Sequence, residues 1–421
     1  MSHPMHIRVL ESATFKDAQC SPAQQLASSL IMLDTCTAAT SDDTYNLYGC
    51  TEDGTFKVNT FHTANCTGTY SQYSGLSGEC VENMAYTFSR FTCITSAEQR
   101  AFKAWQVEHS TRDYAALSAA EARSRFEVWR TNTAFIAAHN AGGESLFSLK
   151  MNAFGDLTRE EWRALHRSKR SNAAAAAPHH RGRTFKATAA ATDPPPAAWD
   201  WRVHGAVSTV KNQFEPHSCG SCWAFSAIAG VESRYAMNGN TVTSFSAQNL
   251  IDCTLNGTDT CNAGGEMHDG VEQIAVEQQG GVSKALDYKY TGFSKGVCHY
   301  DPSSAVMTNI TGYVNVSVGD EVALLAAVAT GGVIPSGINS EAQQFMFYSG
   351  GILDIPAARC KAGPNDLDHG VAIVGYGESA GTPFWIVKNS YGLYWGEKGY
   401  FRIVRGRNSC GIATDCIVVT S

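Results

Sequence analysis

Cys219-Gly220-Ser221-Cys222-Trp223-Ala224-Phe225-Ser226 sets two cysteines directly before a helical pattern. Beyond Cys222, the residues Ala224, Ile228, Val231 and Tyr235 recur at spacings of 4, 3 and 4, which predicts a helix ending near Asn238-Gly239. A thiol in the first turn of a helix feels the positive end of the macrodipole, which favours the thiolate. Cys222 is therefore a candidate nucleophile. A Cys-x-x-Cys can also be a redox pair or half of a zinc site. No second Cys-x-x-Cys and no matching histidine pair follows, so neither a metal nor a cofactor is expected.

Two later segments offer partners for that thiol. Leu367-Asp368-His369-Gly370-Val371-Ala372-Ile373-Val374-Gly375-Tyr376-Gly377 sets His369 at the start of a strand-like run. Trp385-Ile386-Val387-Lys388-Asn389-Ser390 sets Asn389 at the end of another. A lone histidine is more often structural than catalytic. His369, however, lies 147 residues beyond Cys222, within the interval of about 130–150 expected if the pair resembles that of papain-like enzymes.

These segments closely resemble the papain family of cysteine proteases. So do Trp201-Arg202, Gly205-Ala206-Val207 and Val210-Lys211-Asn212-Gln213. Upstream, Glu121, Arg125, Trp129, Asn132, Ile136 and Asn140 lie along one helical face, as in that family's inhibitory propeptide. Asn152-x-Phe154-x-Asp156 resembles its second propeptide motif, and Thr158 with Glu161 reads as the capping box of a further helix. The resemblance spans residues 98–421 and implies an α+β fold of two domains. A helical left domain would carry Cys222, a right domain of antiparallel, barrel-like strands would carry His369, and the cleft between them would be the active site.

The resemblance also implies roles. Cys222 and His369 would form the catalytic pair and Asn389 would orient the imidazole. The side-chain amide of Gln213 and the backbone N–H of Cys222 would hold the oxyanion. Disulfides would join Cys219 to Cys261, Cys253 to Cys298 and Cys360 to Cys410, leaving Cys416 unpaired, with burial its expected fate. The substrate residue two before the cut (P2) would bind beside Gly264 and Gly265, between Met267, Gly337 and Leu367, with Asp415 at the pocket floor. A carboxylate there should admit Arg as well as Leu or Phe. Expected partners are protein or peptide substrates, the chain's own propeptide as intramolecular inhibitor, and cystatin-type inhibitors. No His-rich loop of the kind found in carboxydipeptidase relatives is present, which favours an endopeptidase.

Four departures from the family pattern bear on detail. Phe214-Glu215-Pro216-His217-Ser218 makes a longer loop before Cys219, expected to shift the Gln213 amide or the primed side of the cleft. Tyr391 stands in place of a tryptophan over the Asn–His bond, so weaker shielding is expected. Lys150 replaces a glycine in the propeptide motif, and Ala263 adds a residue before the glycine pair.

Composition divides the chain into four. Residues 1–97 hold six cysteines in a repeat, with Cys20, Cys36 and Cys50 echoed by Cys66, Cys80 and Cys93. Frequent Thr, Tyr, Phe and Val predict a disulfide-stapled β module, whose six cysteines allow fifteen pairings. Residues 98–167 are the helical segment, 168–193 an alanine-rich linker, and 194–421 the peptidase-like domain. Activation cleavage is expected between Ala191 and Pro196. The first 97 residues carry 4 Lys+Arg against 9 Asp+Glu, residues 98–193 carry 15 against 10, and the remainder 13 against 20. A basic segment between acidic ones points to a partner within the same chain, and to release in acid as carboxylates protonate. It lacks the aromatic platform of a nucleic-acid site. Fourteen cysteines, absent between residues 94 and 218, argue for an oxidising compartment, either extracellular or lysosomal/vacuolar. Sequons at Asn65, Asn256, Asn309 and Asn315 are compatible with export. Positions 1–20 lack a signal-peptide core, and no apolar run is long enough to span a membrane. The competing expectation is an inactive relative that binds partners through its repeats.

Overall fold

The computed structural model describes eight strands between Val9 and Ile94, and residues 96–109, 114–143, 145–166, 184–185, 194–257 and 260–421. The chain divides into two compact units, Met1–Ala122 and Arg123–Ser421. In the first, Gln25–Met32, Val9–Phe15, Phe88–Ile94 and Cys80–Glu82 form one antiparallel sheet in that order. Cys36–Ala38, Tyr45–Cys50, Thr55–Phe61 and Tyr70–Leu76 form another. Pairing of the six cysteines falls outside the described residues. Helix α1, Ser96–His109, follows the strands and buries Phe102 against Trp105, with ring centroids 5.6 Å apart.

Helix α2, Ala119–Ala141, leads into the second unit, followed by the strand Phe147–Leu149 and helix α3, Arg159–His166. The capping box read from the sequence is formed. Glu161 N–H donates to Thr158 Oγ1 at 3.1 Å, and Thr158 N–H donates to Glu161 Oε2 at 2.9 Å. On α2, Asn132 Nδ2 donates to the carbonyls of Gly155 and Leu157 at 2.9 and 3.1 Å. Arg125 pairs with Glu161 at 2.5 Å. The helical face thus braces the turn carrying Phe154 and Asp156.

The main sheet has seven strands. Trp199–Asp200, His369–Ser379, Thr382–Lys388, Tyr400–Val404, Tyr348–Leu353 and Phe147–Leu149 lie in that order, and Ile334–Ile338 pairs with His369–Ser379. Residues 369–377 are buried without a break, the signature of a strand covered on both faces. The pairs in this sheet are antiparallel except one, since Tyr348–Leu353 runs parallel to Tyr400–Val404. The connection between them, residues 354–399, is long enough to cross over and return in the same direction.

Helix α4, Cys222–Met237, separates two apolar clusters, one around the seven-stranded sheet and one among the short helices Ala247–Cys253 and Met267–Glu272. Its residues from Cys222 to Ser233 are all buried, so the helix is covered all round and not on one stripe only. Disulfides link Cys219 to Cys261, Cys253 to Cys298 and Cys360 to Cys410. They span 42 to 50 residues, and each restrains the unfolded chain by about 4 kcal/mol on the chain-entropy account. Cys416 is free and buried. No helix among the described residues is long and apolar enough to cross a membrane.

The segment from α2 to α3 is anchored to the sheet by backbone and amide contacts. Phe147–Leu149 pairs antiparallel with Tyr348–Gly351 at the sheet edge. Lys150 N–H donates to Phe347 O at 2.9 Å, and Asn152 Nδ2 donates to Met346 O at 2.8 Å. Gln343 Nε2 reaches Asn132 Oδ1 at 2.7 Å. Trp162 is fully buried, with its Nε1–H donating to Ser340 O at 3.0 Å. Further along, Phe185 N–H donates to Asn315 O at 2.7 Å. The remaining linker positions, including the expected cleavage site up to residue 193, lie outside the described residues.

Candidate active site

Cys222 opens α4, and His369 opens the strand that packs against it. Gly370 lets them meet. A Cβ at Gly370 would lie 3.1 Å from the backbone of Cys222 and Trp223, so any side chain there would push strand and helix apart. His369 Nε2 hydrogen-bonds Asn389 Oδ1 at 2.8 Å, which holds that nitrogen as the N–H and leaves Nδ1 as the ring's basic position. Asn389 is tied in turn through Oδ1 to Ser390 N–H at 2.8 Å, and its own N–H donates to Gly399 O at 2.9 Å.

Cys222 and His369 line one cavity of about 310 Å³ with Gly265, Met267, Gly337, Leu367 and Asp415. A Cβ at Gly337 would come within 2.8 Å of Leu367 and 3.5 Å of Asp415, so glycine keeps this end of the cavity open. Gly264 precedes the cavity wall at a φ of 70°, a left-handed conformation that suits glycine. Gln213 and Asn389 do not line the cavity but are buried behind it. Gln213 Nε2 donates to Cys219 O at 3.2 Å, while Oε1 accepts from Ser390 Oγ at 2.7 Å. The Gln213 amide is thus held between Cys219 and Ser390.

Electrostatics differ from the simple expectation for a helix-capping thiol. Burial pushes the Cys222 thiol up to about 12, and Asp368 and Glu266 add to the rise, while hydrogen bonds from Gly370 and Trp223 oppose it. In this closed state desolvation outweighs the helix terminus and favours the protonated thiol. Asp368, beside His369, is pushed up to about 7, chiefly by burial, against hydrogen bonds from Ser340 N–H and Oγ at 2.6 and 3.0 Å.

Aromatic rings cover the pair. Tyr391 stacks on His369 with centroids 4.9 Å apart and is itself only 4% exposed, so in this state shielding is close to complete. Phe154 and Trp162 pack edge-on to Tyr391 at 5.8 and 5.7 Å, and Phe214 from the long loop joins them at 5.1 Å. Beneath Asn389, Lys388 Nζ donates to Ser208 O and Oγ at 2.9 and 3.0 Å. Ser208 Oγ donates to Glu232, and Lys211 pairs with Glu232 at 2.5 Å. Burial drives the Lys388 ammonium down to about 8, against the pull of Glu232. This network, like Phe214 and Asp368, was not singled out from the sequence, because each partner comes from a distant element. His268 was also missed. It contacts Asp415 at 3.3 Å inside the cavity wall.

Residues 195–420 match the description "Papain family cysteine protease". The chain belongs to that family. Residues 102–162 match the cathepsin propeptide inhibitor domain (I29). Human cathepsin L2 is 38% identical over 299 residues, covering 69% of this chain and 84% of that protein. Vignain of Ricinus communis is 38% identical over 328 residues, covering 75% and 83%. A solved digestive procathepsin L 3 from the larval midgut of Tenebrio molitor superposes with a TM-score of 0.67 at 34% identity, covering 78% of this chain and all of that one. This papain-family protein is thus a cysteine endopeptidase made as a zymogen. Its I29 propeptide is an intramolecular inhibitor, and α2, the edge strand and α3 are how it grips the enzyme.

Proposed function

We propose that the enzyme hydrolyses peptide bonds through a thioester on Cys222. His369 Nδ1 takes the Cys222 proton, and the sulfur attacks the scissile carbonyl. The oxyanion is held by the second N–H of the Gln213 amide and the backbone N–H of Cys222. As the C–N bond breaks, His369 returns its proton to the leaving amine. Water then attacks the thioester with His369 as base, releasing the acid and restoring the thiol. The observation that carries this reading is the 2.8 Å His369–Asn389 bond, with His369 and Cys222 lining a common cavity. Solvent entering the opened cleft relieves the desolvation that now holds the thiol protonated, leaving the helix terminus and N–H donors to favour the thiolate.

An activated ester tests the covalent step. Processed enzyme should release a burst of alcohol equal to one equivalent of active sites before the steady state, read by stopped-flow absorbance. A linear time course with no burst and no mass-detectable acyl adduct would remove the thioester from the mechanism.

The P2 pocket is apolar in Met267 and Leu367 and carboxylate-floored by Asp415, which favours Leu or Phe with Arg accepted. Cystatin-type inhibitors fit the same cleft as partners. Disulfides in the peptidase support an extracellular or lysosomal/vacuolar setting. Residues 1–97, 98–167, 168–193 and 194–421 act as repeat module, propeptide, activation linker and peptidase, with cleavage between Ala191 and Pro196. The repeat module serves targeting or adhesion, or else stabilises the chain as an appendage.

A further inference from the structure

His268 projects from the short helix Met267–Glu272 into the wall of the P2 end of the cleft, with its side chain 7% exposed. Its Nε2 lies 3.3 Å from Asp415 Oδ1, and the Asp415 side chain is 30% exposed. Glu266, His268 and Asp415 bring imidazole and carboxylate atoms within 4.8 Å of one another. Also facing the imidazole are the Tyr313 ring, edge-on at 5.1 Å, and Asp269 on its own helix. Tyr313 OH donates in turn to Glu272 Oε1 at 3.3 Å. Among these neighbours every formal charge is negative.

An arginine side chain entering the pocket needs the Asp415 carboxylate. So does the imidazolium of His268. Resting on the reading of Asp415 as the P2 floor, we propose that His268 is a specificity-determining residue that competes with a basic P2 side chain for Asp415, so that acceptance of P2 Arg is low in acid and rises as His268 loses its proton. Burial is the largest influence on the His268 imidazole and lowers it. The Asp415 charge and hydrogen bond, then Glu266 and Asp269, together outweigh burial, and the net direction is upward from the usual histidine value of about 6.5. The sign follows. Below that raised midpoint the His268–Asp415 pair is an ion pair, satisfied and neutral as a unit. Above it the imidazole is neutral and the carboxylate is left to pair with a P2 guanidinium. P2 Leu makes no use of the charge and serves as the internal reference.

The experiment uses processed enzyme and paired dipeptidyl fluorogenic substrates with Arg or Leu at P2, assayed from pH 5 to 8. In the native enzyme the Arg/Leu ratio of kcat/KM should rise about tenfold across that range, the size of one gained charge-assisted hydrogen bond. His268→Asn and His268→Gln should hold the ratio high and flat, and Asp415→Asn should hold it low and flat. If Asp415→Asn lowers the ratio while both His268 variants keep the native pH dependence, the floor assignment stands and the competition by His268 is overturned. If Asp415→Asn leaves the ratio unchanged, the floor assignment itself fails, and the inference with it. A readout independent of variants at His268 is its ring titration by NMR in Cys222→Ala enzyme. Adding Asp415→Asn should shift that midpoint down, and an unchanged midpoint would show that the two groups are not coupled.

Discussion

Replacing Cys222 by alanine will lower kcat/KM for peptide substrates by roughly 10⁴–10⁶-fold, the scale on which removing a nucleophile from a cooperating catalytic set acts. No neighbouring group can take over. Ser221 Oγ is committed to Cys219 O at 3.3 Å and to Tyr290 OH at 2.9 Å, away from the cavity. Cys416 is the other free thiol among the described residues, and although it borders the cavity it is buried. Desolvation pushes its thiol far above the ordinary range, and it is engaged with Ser336 Oγ at 3.4 Å and Ile412 O at 3.2 Å. Alkylation by iodoacetamide at neutral pH should therefore label the peptidase domain of the processed native enzyme once and that of the variant not at all, read by peptide mass spectrometry. Retention of more than about a hundredth of native activity in correctly folded Cys222→Ala protein would overturn the thiol mechanism, whereas no cleavage by processed native protein would favour the partner-binding reading.

Trp162→Ala in the full zymogen will open the enzyme at neutral pH. The Trp162 side chain is fully buried, donates to Ser340 O, and packs against Phe154 at 5.0 Å as well as Tyr391. Losing a buried tryptophan costs about 3–5 kcal/mol, which would raise the open fraction by roughly 10²–10³-fold or more. Tyr391 contacts both the Trp162 ring and the His369 ring, so the lock is applied next to the proposed base. The measurement is labelling of Cys222 by an active-site probe at pH 7, before any cleavage, in a time course against the native zymogen. An unchanged labelling rate would show that the propeptide is held elsewhere.

Arg163→Ala supplies the contrast. The Arg163–Glu341 pair spans propeptide and enzyme at 2.7 Å, but its side chains are 35% and 42% exposed, so it contributes under about 1 kcal/mol and its loss should change labelling only a few-fold. The segment charges read from the sequence led to an expectation of release in acid through weakened attraction. Among the described residues, the contacts at Phe347, Met346, Gln343 and Ser340 are uncharged, while Arg163–Glu341 is a charged one. Constant propeptide inhibition from pH 4 to 7 would remove that expectation altogether.

Much of the site was legible because its chemistry is written in short contiguous segments. Cys222 follows from a helix start, His369 and Asn389 from strand ends, and the Thr158–Glu161 capping box from a three-residue spacing. Phe214 shows where such reading stops. It was visible as part of an unusual loop, but its packing against Phe154 and Tyr391 depends on residues 60 positions before it and 177 after it. The parallel strand pair was missed for a similar reason, since neighbouring runs in sequence do not reveal which way a crossover returns.

The sequence by itself determined the order of the candidate groups Cys222, His369 and Asn389, the presence of a helical inhibitor ahead of them, and the segregation of cysteines. These properties reside in side-chain type and local periodicity. Tertiary structure alone decided that burial at Cys222 outweighs the helix terminus and raises the thiol, that Tyr391 lies against both Trp162 and His369, and that His268 meets Asp415 across 147 residues of chain. Proton affinity and shielding depend on what surrounds a group in space, and those surroundings are assembled from elements that no local spacing connects.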